Sequence, residues 1–323
     1  LPSASRRNAR LADGFSFIHS YWTNIMKVDW AGVFPAVTTK MKADQSLDHD
    51  AIASGLERLL ANGVGGVVMM GMVGENASLA PEEKLTVLRI AKETIKGRVP
   101  IVSGLAETTT AGAGRYAREA ERIGVDGLMV FPALTYKSDA AETMSFYRGV
   151  ARASGLPIMI YNNPRGYGVD MTPQLLEQLA DEPTLACIKE ETYDTTRVTD
   201  IYARLGDRYT VFCGVDDLIV ESVALGVKGW VSGMANAVPK ESVQLLDLAV
   251  KGDYAGARVL YRKLIKLFHL DTHVKLVQYI KLAEHVTAGY AETVREPRLP
   301  LSGAEREATL AIIHETLAAL KSA

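Results

Sequence analysis

The sequence predicts an α/β chain folded as a (β/α)8 TIM barrel with a C-terminal helical extension. Three observations lead there. Eight short β-branched or apolar runs alternate with amphipathic stretches at helical spacing, the signature of a parallel α/β sheet. Strand-like phrases stop after Pro239 while helical patterns continue. No Gly-x-Gly-x-x-Gly follows the first run, which counts against the rival, an open doubly wound sheet.

In order, the predicted strands are Gly32–Val37, Gly66–Met70, Pro100–Ser103, Gly127–Val130, Pro157–Tyr161, Leu185–Lys189, Tyr209–Cys213 and Gly229–Ser232. Helical spacing fills Asp48–Ala61, Pro81–Ile95, Thr108–Ile123, Ala140–Ala153 and Thr172–Ala180, several opening on a capping residue or a first-turn proline. Beyond the last strand, Ser242–Val250, Tyr254–Phe268, Val274–Ala283 and Ala304–Ala319 read as helices, with Pro297 and Pro300 marking a stiff connection before the last. The organisation expected is an N-terminal extension over residues 1–25, barrel strands and catalytic core over 26–239, and the eighth barrel helix with a helical C-terminal domain over 240–323. The extension carries Arg6, Arg7 and Arg10 and takes no part in the fold argument.

At 323 residues the chain can bury a barrel core of the usual ~250 residues with an appendage to spare. A net charge of −2 offers no basic excess for nucleic acid, and no apolar run approaches the ~20 residues that span a bilayer. Cys187 and Cys213 lie in apolar runs without a CxxC spacing and read as buried, reduced thiols. These features together predict a cytoplasmic protein. Metal is not expected, because the six histidines are scattered and no strand end offers a convergent His/Asp/Glu set.

Barrel enzymes place their reacting groups at the C-terminal ends of strands. Lys189 ends the sixth run and Tyr161 the fifth, so both belong at one mouth. Burial there should lower the lysine pKa and supply a neutral amine that attacks a carbonyl, giving an imine that eases bond cleavage at the neighbouring carbon. Tyr161 supplies a phenol to move protons, with a pKa lowered by an iminium on Lys189. Taken singly, a strand-end lysine is also a rim ion-pair partner and a strand-end tyrosine also an interior residue with a satisfied hydroxyl. The loop Gly71-Met72-Val73-Gly74-Glu75-Asn76 can turn its amides toward a carboxylate. Gly214 and Gly233 follow the seventh and eighth strands, where barrels often take phosphate, but Asp216 and Asp217 would repel it.

These motifs together resemble the pyruvate-dependent Schiff-base aldolases typified by dihydrodipicolinate synthase and N-acetylneuraminate lyase. The residues that carry the resemblance are Gly71-x-x-Gly74-Glu75, Tyr161-Asn162-x-Pro164, Ile188-Lys189-Glu190 and Gly214-x-Asp216, over a match from about Val28 to the C-terminus. The resemblance implies a covalent imine on Lys189 with no separate cofactor, Tyr161 as proton shuttle, and Val73 with Gly74 or Met72 as the backbone clamp on the substrate carboxylate. It also implies that Gly214, Asp216 and Ser232 line the pocket, and that the chain forms a homo-oligomer, a tetramer or a dimer. The partner expected is a small 2-oxo acid or cyclic imino acid.

Departures from the family pattern bear on the substrate. Family synthases carry two hydroxyl residues where Met72 and Val73 stand, and neither a thioether nor an isopropyl group relays protons. Leu134 occupies the slot of a tyrosine that reaches the partner's site, with Tyr136 close by, and Arg165 stands one position before the arginine slot at Gly166. Gly32-Val-Phe-Pro35, Asn162 to Asp170, His269-Leu270-Asp271, Lys281 to Glu284 and Pro297 to Leu301 are similar to 1-pyrroline-4-hydroxy-2-carboxylate deaminases of hydroxyproline breakdown. The sequence therefore predicts a deaminase of that kind. Alternatives are a 4-hydroxy-tetrahydrodipicolinate synthase joining pyruvate to aspartate semialdehyde, a 2-keto-3-deoxy sugar acid aldolase or dehydratase, and a barrel that binds a 2-oxo acid without turnover.

Overall fold

The computed structural model describes residues 25–133 and 136–322. The expected extension, apart from its last residue, and the Leu134 slot lie outside the described residues. Eight strands, β1 Gly32–Pro35, β2 Val67–Met69, β3 Ile101–Leu105, β4 Gly127–Val130, β5 Ile158–Asn162, β6 Leu185–Glu190, β7 Thr210–Cys213 and β8 Gly229–Ser232, form one parallel sheet. Its order runs β1-β8-β7-β6-β5-β4-β3-β2. The ring closes where Ala36 bridges Val68 in parallel and the Val37 amide donates to the Val68 carbonyl at 2.9 Å. Each predicted strand is present: β4 and β8 have the predicted bounds, and the other six differ by one or two residues at one or both ends.

The helices that wrap the ring are α1 His49–Ala61, α2 Pro81–Ile95, α3 Thr110–Ile123, α4 Ala140–Ala151, α5 Pro164–Tyr167, α6 Pro173–Gln178, α7 Thr196–Leu205, α8 Ile219–Ala224 and α9 Pro239–Val250. Their starts follow the local chemistry. The Asp48 side chain accepts from the Ala51 amide, Thr109 from Gly112 and Asp139 from Glu142, each satisfying an amide that has no partner within its helix. After β5 the chain makes the single helical turn α5, capped by Asn163.

Both faces of the strands are buried, as an all-parallel sheet requires. Low in the barrel, Phe34 and Phe212 meet edge to face at 5.1 Å. Gly66 and Gly229 make room for them: a Cβ at either would fall 2.1–2.2 Å from the Phe34 or Phe212 ring. Cys187 and Cys213 are buried free thiols.

After the barrel come α10 Tyr254–Phe268, α11 Leu276–Ala288 and α12 Gly303–Lys321. Helix α11 runs five residues past the predicted end and stops at Gly289 in the left-handed region. It pins the loops above β1 and β2 through buried charges. Lys281 pairs with Glu75 at 2.6 Å, and Lys40 with Glu284 at 2.8 Å. Thr38 donates to Glu284 at 2.6 Å, and the Arg295 amide to Glu75 at 2.9 Å. No helix among the described residues is long and apolar enough to cross a membrane.

Candidate active site

Strands β5 and β6 pair with Tyr161 opposite Lys189. Both side chains turn inward, and Lys189 Nζ sits 4.0 Å from the centre of the Tyr161 ring. Side chains two residues apart on a strand share a face, so Asn163 and Glu191, just past the strand ends, turn to the same mouth. Glu191 Oε2 lies 2.8 Å from Lys189 Nζ and accepts from Tyr161 Oη at 2.7 Å. Asn163 Nδ2 donates to Glu191 Oε1 at 2.8 Å and to Tyr161 Oη at 3.4 Å.

The alternating residues brace these strand ends from the other side. Asn162 donates to Glu190 at 2.9 Å and accepts from the Met171 amide at 2.8 Å. The Thr192 amide caps Glu190 at 2.8 Å, and Asp170 is held by Arg197 at 2.7 Å. Phe131, Tyr161 and Tyr167 stack edge to face at 4.8–5.4 Å, a geometry that fixes the phenol ring of Tyr161.

A cavity of about 130 Å³ opens above Lys189. Its walls include Gly71, Met72, Val73, Tyr161, Tyr167, Lys189, Glu191, Gly214 and Asp271. Gly214 is there because nothing larger fits: a Cβ would lie 2.7 Å from Lys189 Cε and 3.0 Å from the Glu191 side chain. Among the described residues, no acceptor takes the amides of Met72, Val73 or Gly74. Gly74 itself stands behind the wall, its carbonyl accepting from Thr39 at 2.7 Å. Met72 Sδ faces Arg298 at 3.5 Å, so the thioether that replaces a hydroxyl also contacts a guanidinium.

The protonation states differ from the sequence expectation. Burial is the largest influence on Lys189 and lowers its pKa, but the adjoining Glu191 carboxylate, with Tyr167 and Asp271, outweighs it and holds the pKa above the usual lysine value. The resting amine is therefore an ammonium. Burial, then Glu191, raises Tyr161 well above an ordinary phenol. The lysine cation stands over the ring face while the hydroxyl points at a carboxylate.

Asp216 and Ser232, expected on the pocket wall, stand behind it. Asp216 is fully buried and accepts from Trp230 Nε1 at 2.9 Å, Ser232 Oγ at 3.1 Å and the Met234 amide at 2.8 Å. Burial pushes its pKa up to about 7 against those hydrogen bonds. Ser232 accepts in turn from the Ala235 amide at 3.0 Å. Strand alternation is the reason: Val231 and Gly233 face the cavity, and Ser232 between them faces out. Arg165, near the second-substrate arginine slot, is exposed and stacks on Tyr193 at 4.2 Å. Among the described residues, no cluster of three or more His, Cys, Asp or Glu side chains could hold a metal ion.

Comparison with known proteins agrees with this geometry. The model of the dihydrodipicolinate synthetase family matches residues 29–316. A 4-hydroxy-tetrahydrodipicolinate synthase of Methanospirillum hungatei is 31% identical over 281 residues, covering 86% of this chain and 95% of that protein. Its namesake from Methanothrix thermoacetophila is 32% identical over 283 residues, covering 86% and 94%. Among solved structures, a putative dihydrodipicolinate synthetase from Pseudomonas aeruginosa superposes with a TM-score of 0.84 at 29% identity, over 88% of this chain and 99% of that one. A prophage protein of the same family from E. coli K12, solved in complex with pyruvate, gives 0.84 at 27% identity, over 90% and 99%. The chain belongs to the dihydrodipicolinate synthetase family, whose members are class I lyases that form a Schiff base on a lysine and need no separate cofactor.

Proposed function

We propose that this chain captures a small 2-oxo acid as an imine on Lys189 and moves protons at the neighbouring carbon through Tyr161 and Glu191. One observation carries the reading: a single carboxylate oxygen of Glu191 contacts both the Lys189 amine and the Tyr161 hydroxyl. Glu191 takes a proton from the ammonium and frees the amine for attack on the carbonyl carbon. Water leaves with a proton returned through Tyr161. The resulting iminium makes C3 of the acid acidic, and the tyrosine–glutamate pair accepts the C3 proton. The open amides of Met72 and Val73, on the cavity wall, bind the substrate carboxylate.

Of the specific reactions, condensation of pyruvate with aspartate semialdehyde has the better support, because the named relatives at about 30% identity are synthases of that kind. The deaminase reading rests on short segments of sequence. It keeps one structural argument: no hydroxyl stands at Met72 or Val73, and Arg165 is stacked on Tyr193 outside the cavity, which leaves a second substrate's carboxylate without its usual partner. The homo-oligomer implied by the family resemblance belongs to the same proposal. Incubating the protein with each substrate separates the two reactions. Loss of pyruvate together with aspartate semialdehyde supports the synthase, ammonia released from 1-pyrroline-4-hydroxy-2-carboxylate supports the deaminase, and neither reaction would refute both.

A further inference from the structure

Two carboxyl groups face the cavity, and their surroundings differ. Glu191 contacts an ammonium, a phenol and an amide, and so is placed to hold a negative charge. Asp271 has no hydrogen-bond or ion-pair partner among the described residues, although it lines the same cavity as Lys189. It comes from outside the barrel, on the turn His269–Thr272 that joins α10 to α11. That turn is held firmly: His269 Nδ1 meets Asp217 at 2.7 Å, Thr272 donates to the His269 carbonyl at 2.8 Å, and Leu270 is buried. Gly233 lets the carboxyl in, since a Cβ there would lie 2.2 Å from Asp271 Oδ1.

The charges around Asp271 are those of Glu191 and Lys189 on β6 and its end, and Asp216 and Asp217 after β7. Three of the four are acidic. Burial first, then Asp216 and Glu191, raise the Asp271 pKa well above a normal carboxylic acid, while Lys189 opposes them. A buried carboxyl held protonated in this way, beside a cavity and free of any partner that would take its proton, is placed to act as an acid.

We propose that Asp271 is the acid that delivers a proton to the oxygen on C4 of the bound substrate, with the carboxylate carbon counted as C1. The proposal rests on the Schiff-base reading above and holds for either of its branches. In condensation, the C2–C3 enamine attacks the aldehyde carbon. The C3–C4 bond forms, the carbonyl π bond opens, its oxygen takes the Asp271 proton, and the iminium is restored. In elimination, the tyrosine–glutamate pair removes the C3 proton, the C3–C4 double bond forms, and the C4–O bond breaks to release water completed by the Asp271 proton. Each turnover leaves Asp271 ionised, and it regains its proton from solvent.

The two halves of the chemistry separate in one experiment on Asp271→Asn. Pyruvate alone in D2O exchanges its methyl protons through Lys189, Tyr161 and Glu191, without any oxygen on C4. The variant should keep this exchange within about threefold of wild type, while its turnover of whichever C4-oxygenated substrate the wild type consumes falls about 10²–10⁴-fold. Gly233→Ala, which displaces the carboxyl without removing it, should give the same split. Retained exchange also reports that either variant is folded. Full turnover in Asp271→Asn, or exchange lost in step with turnover, would overturn the assignment. So would a wild-type protein that exchanges yet consumes no C4-oxygenated acid or aldehyde pair. A wild-type protein that does not exchange pyruvate at all would instead bring down the Schiff-base reading itself.

Discussion

Lys189 Nζ and Glu191 Oε2 stand 2.8 Å apart at the mouth of the barrel, and the same oxygen receives the Tyr161 hydroxyl. This contact sets the resting charge of the lysine against the pull of its burial. It also gives the amine a proton acceptor that is already in place. A buried ammonium held this way is not nucleophilic until the proton moves, so formation of the imine is tied to proton transfer within the triad.

Glu191→Gln tests that coupling. The carboxylate stabilises the ammonium and raises the lysine pKa, so its removal leaves burial to lower it. The pH at which borohydride trapping of pyruvate reaches half its maximum rate should therefore move down. Proton exchange at the pyruvate methyl should fall about 10²-fold over the same series. A trapping profile unchanged in pH would show that Glu191 does not govern the lysine.

Tyr161→Phe removes the hydroxyl and keeps the ring that packs against Phe131 and Tyr167. The adduct on Lys189 should still form, with proton transfer slowed by roughly 10²–10⁴-fold. Deuterium uptake into pyruvate measures the second effect and mass spectrometry of the trapped protein the first. Full exchange in this variant would remove the tyrosine from the relay.

Asp216 yields a prediction about stability, since it lies behind the cavity wall. Its folded-state pKa of about 7 is above the unfolded value, so the fold favours the protonated form. That contribution is present at low pH, below the unfolded pKa, and is lost as pH rises through about 7. Asp216→Asn cannot accept from Trp230, Ser232 and the Met234 amide together, and should cost about 1–3 kcal/mol. Denaturant unfolding of the two proteins across pH 4–9 should show the wild type losing more stability than the variant as pH rises from about 4 to about 7, with the difference levelling off above that. Pyruvate trapping in the folded variant should stay near the wild-type level. A large loss of trapping without loss of stability would return Asp216 to the pocket.

The barrel was readable because each strand is a short apolar run ended by polar or turn residues, and the ends of β5 and β6 gave Tyr161 and Lys189 directly. Glu191 and Asn163 were within reach of the same reasoning: each lies two residues beyond one of those ends, on the same face. Period-two alternation would also have turned Ser232 away from the cavity between Val231 and Gly233. Asp271 was not readable in this way. It reaches the mouth only because the chain after the eighth strand folds back across the barrel, a long-range event that local pattern does not encode. The direction of the lysine pKa was missed for a related reason, since burial follows from strand position but the nearby carboxylate depends on how two strand ends meet.

The most direct test of the whole account is borohydride reduction in the presence of pyruvate, followed by mass spectrometry of the intact protein and its peptides. The account predicts one reduced pyruvate per chain, carried on the peptide containing Lys189 and absent from Lys189→Ala. No adduct on the wild type, or an adduct that persists in Lys189→Ala, would contradict it.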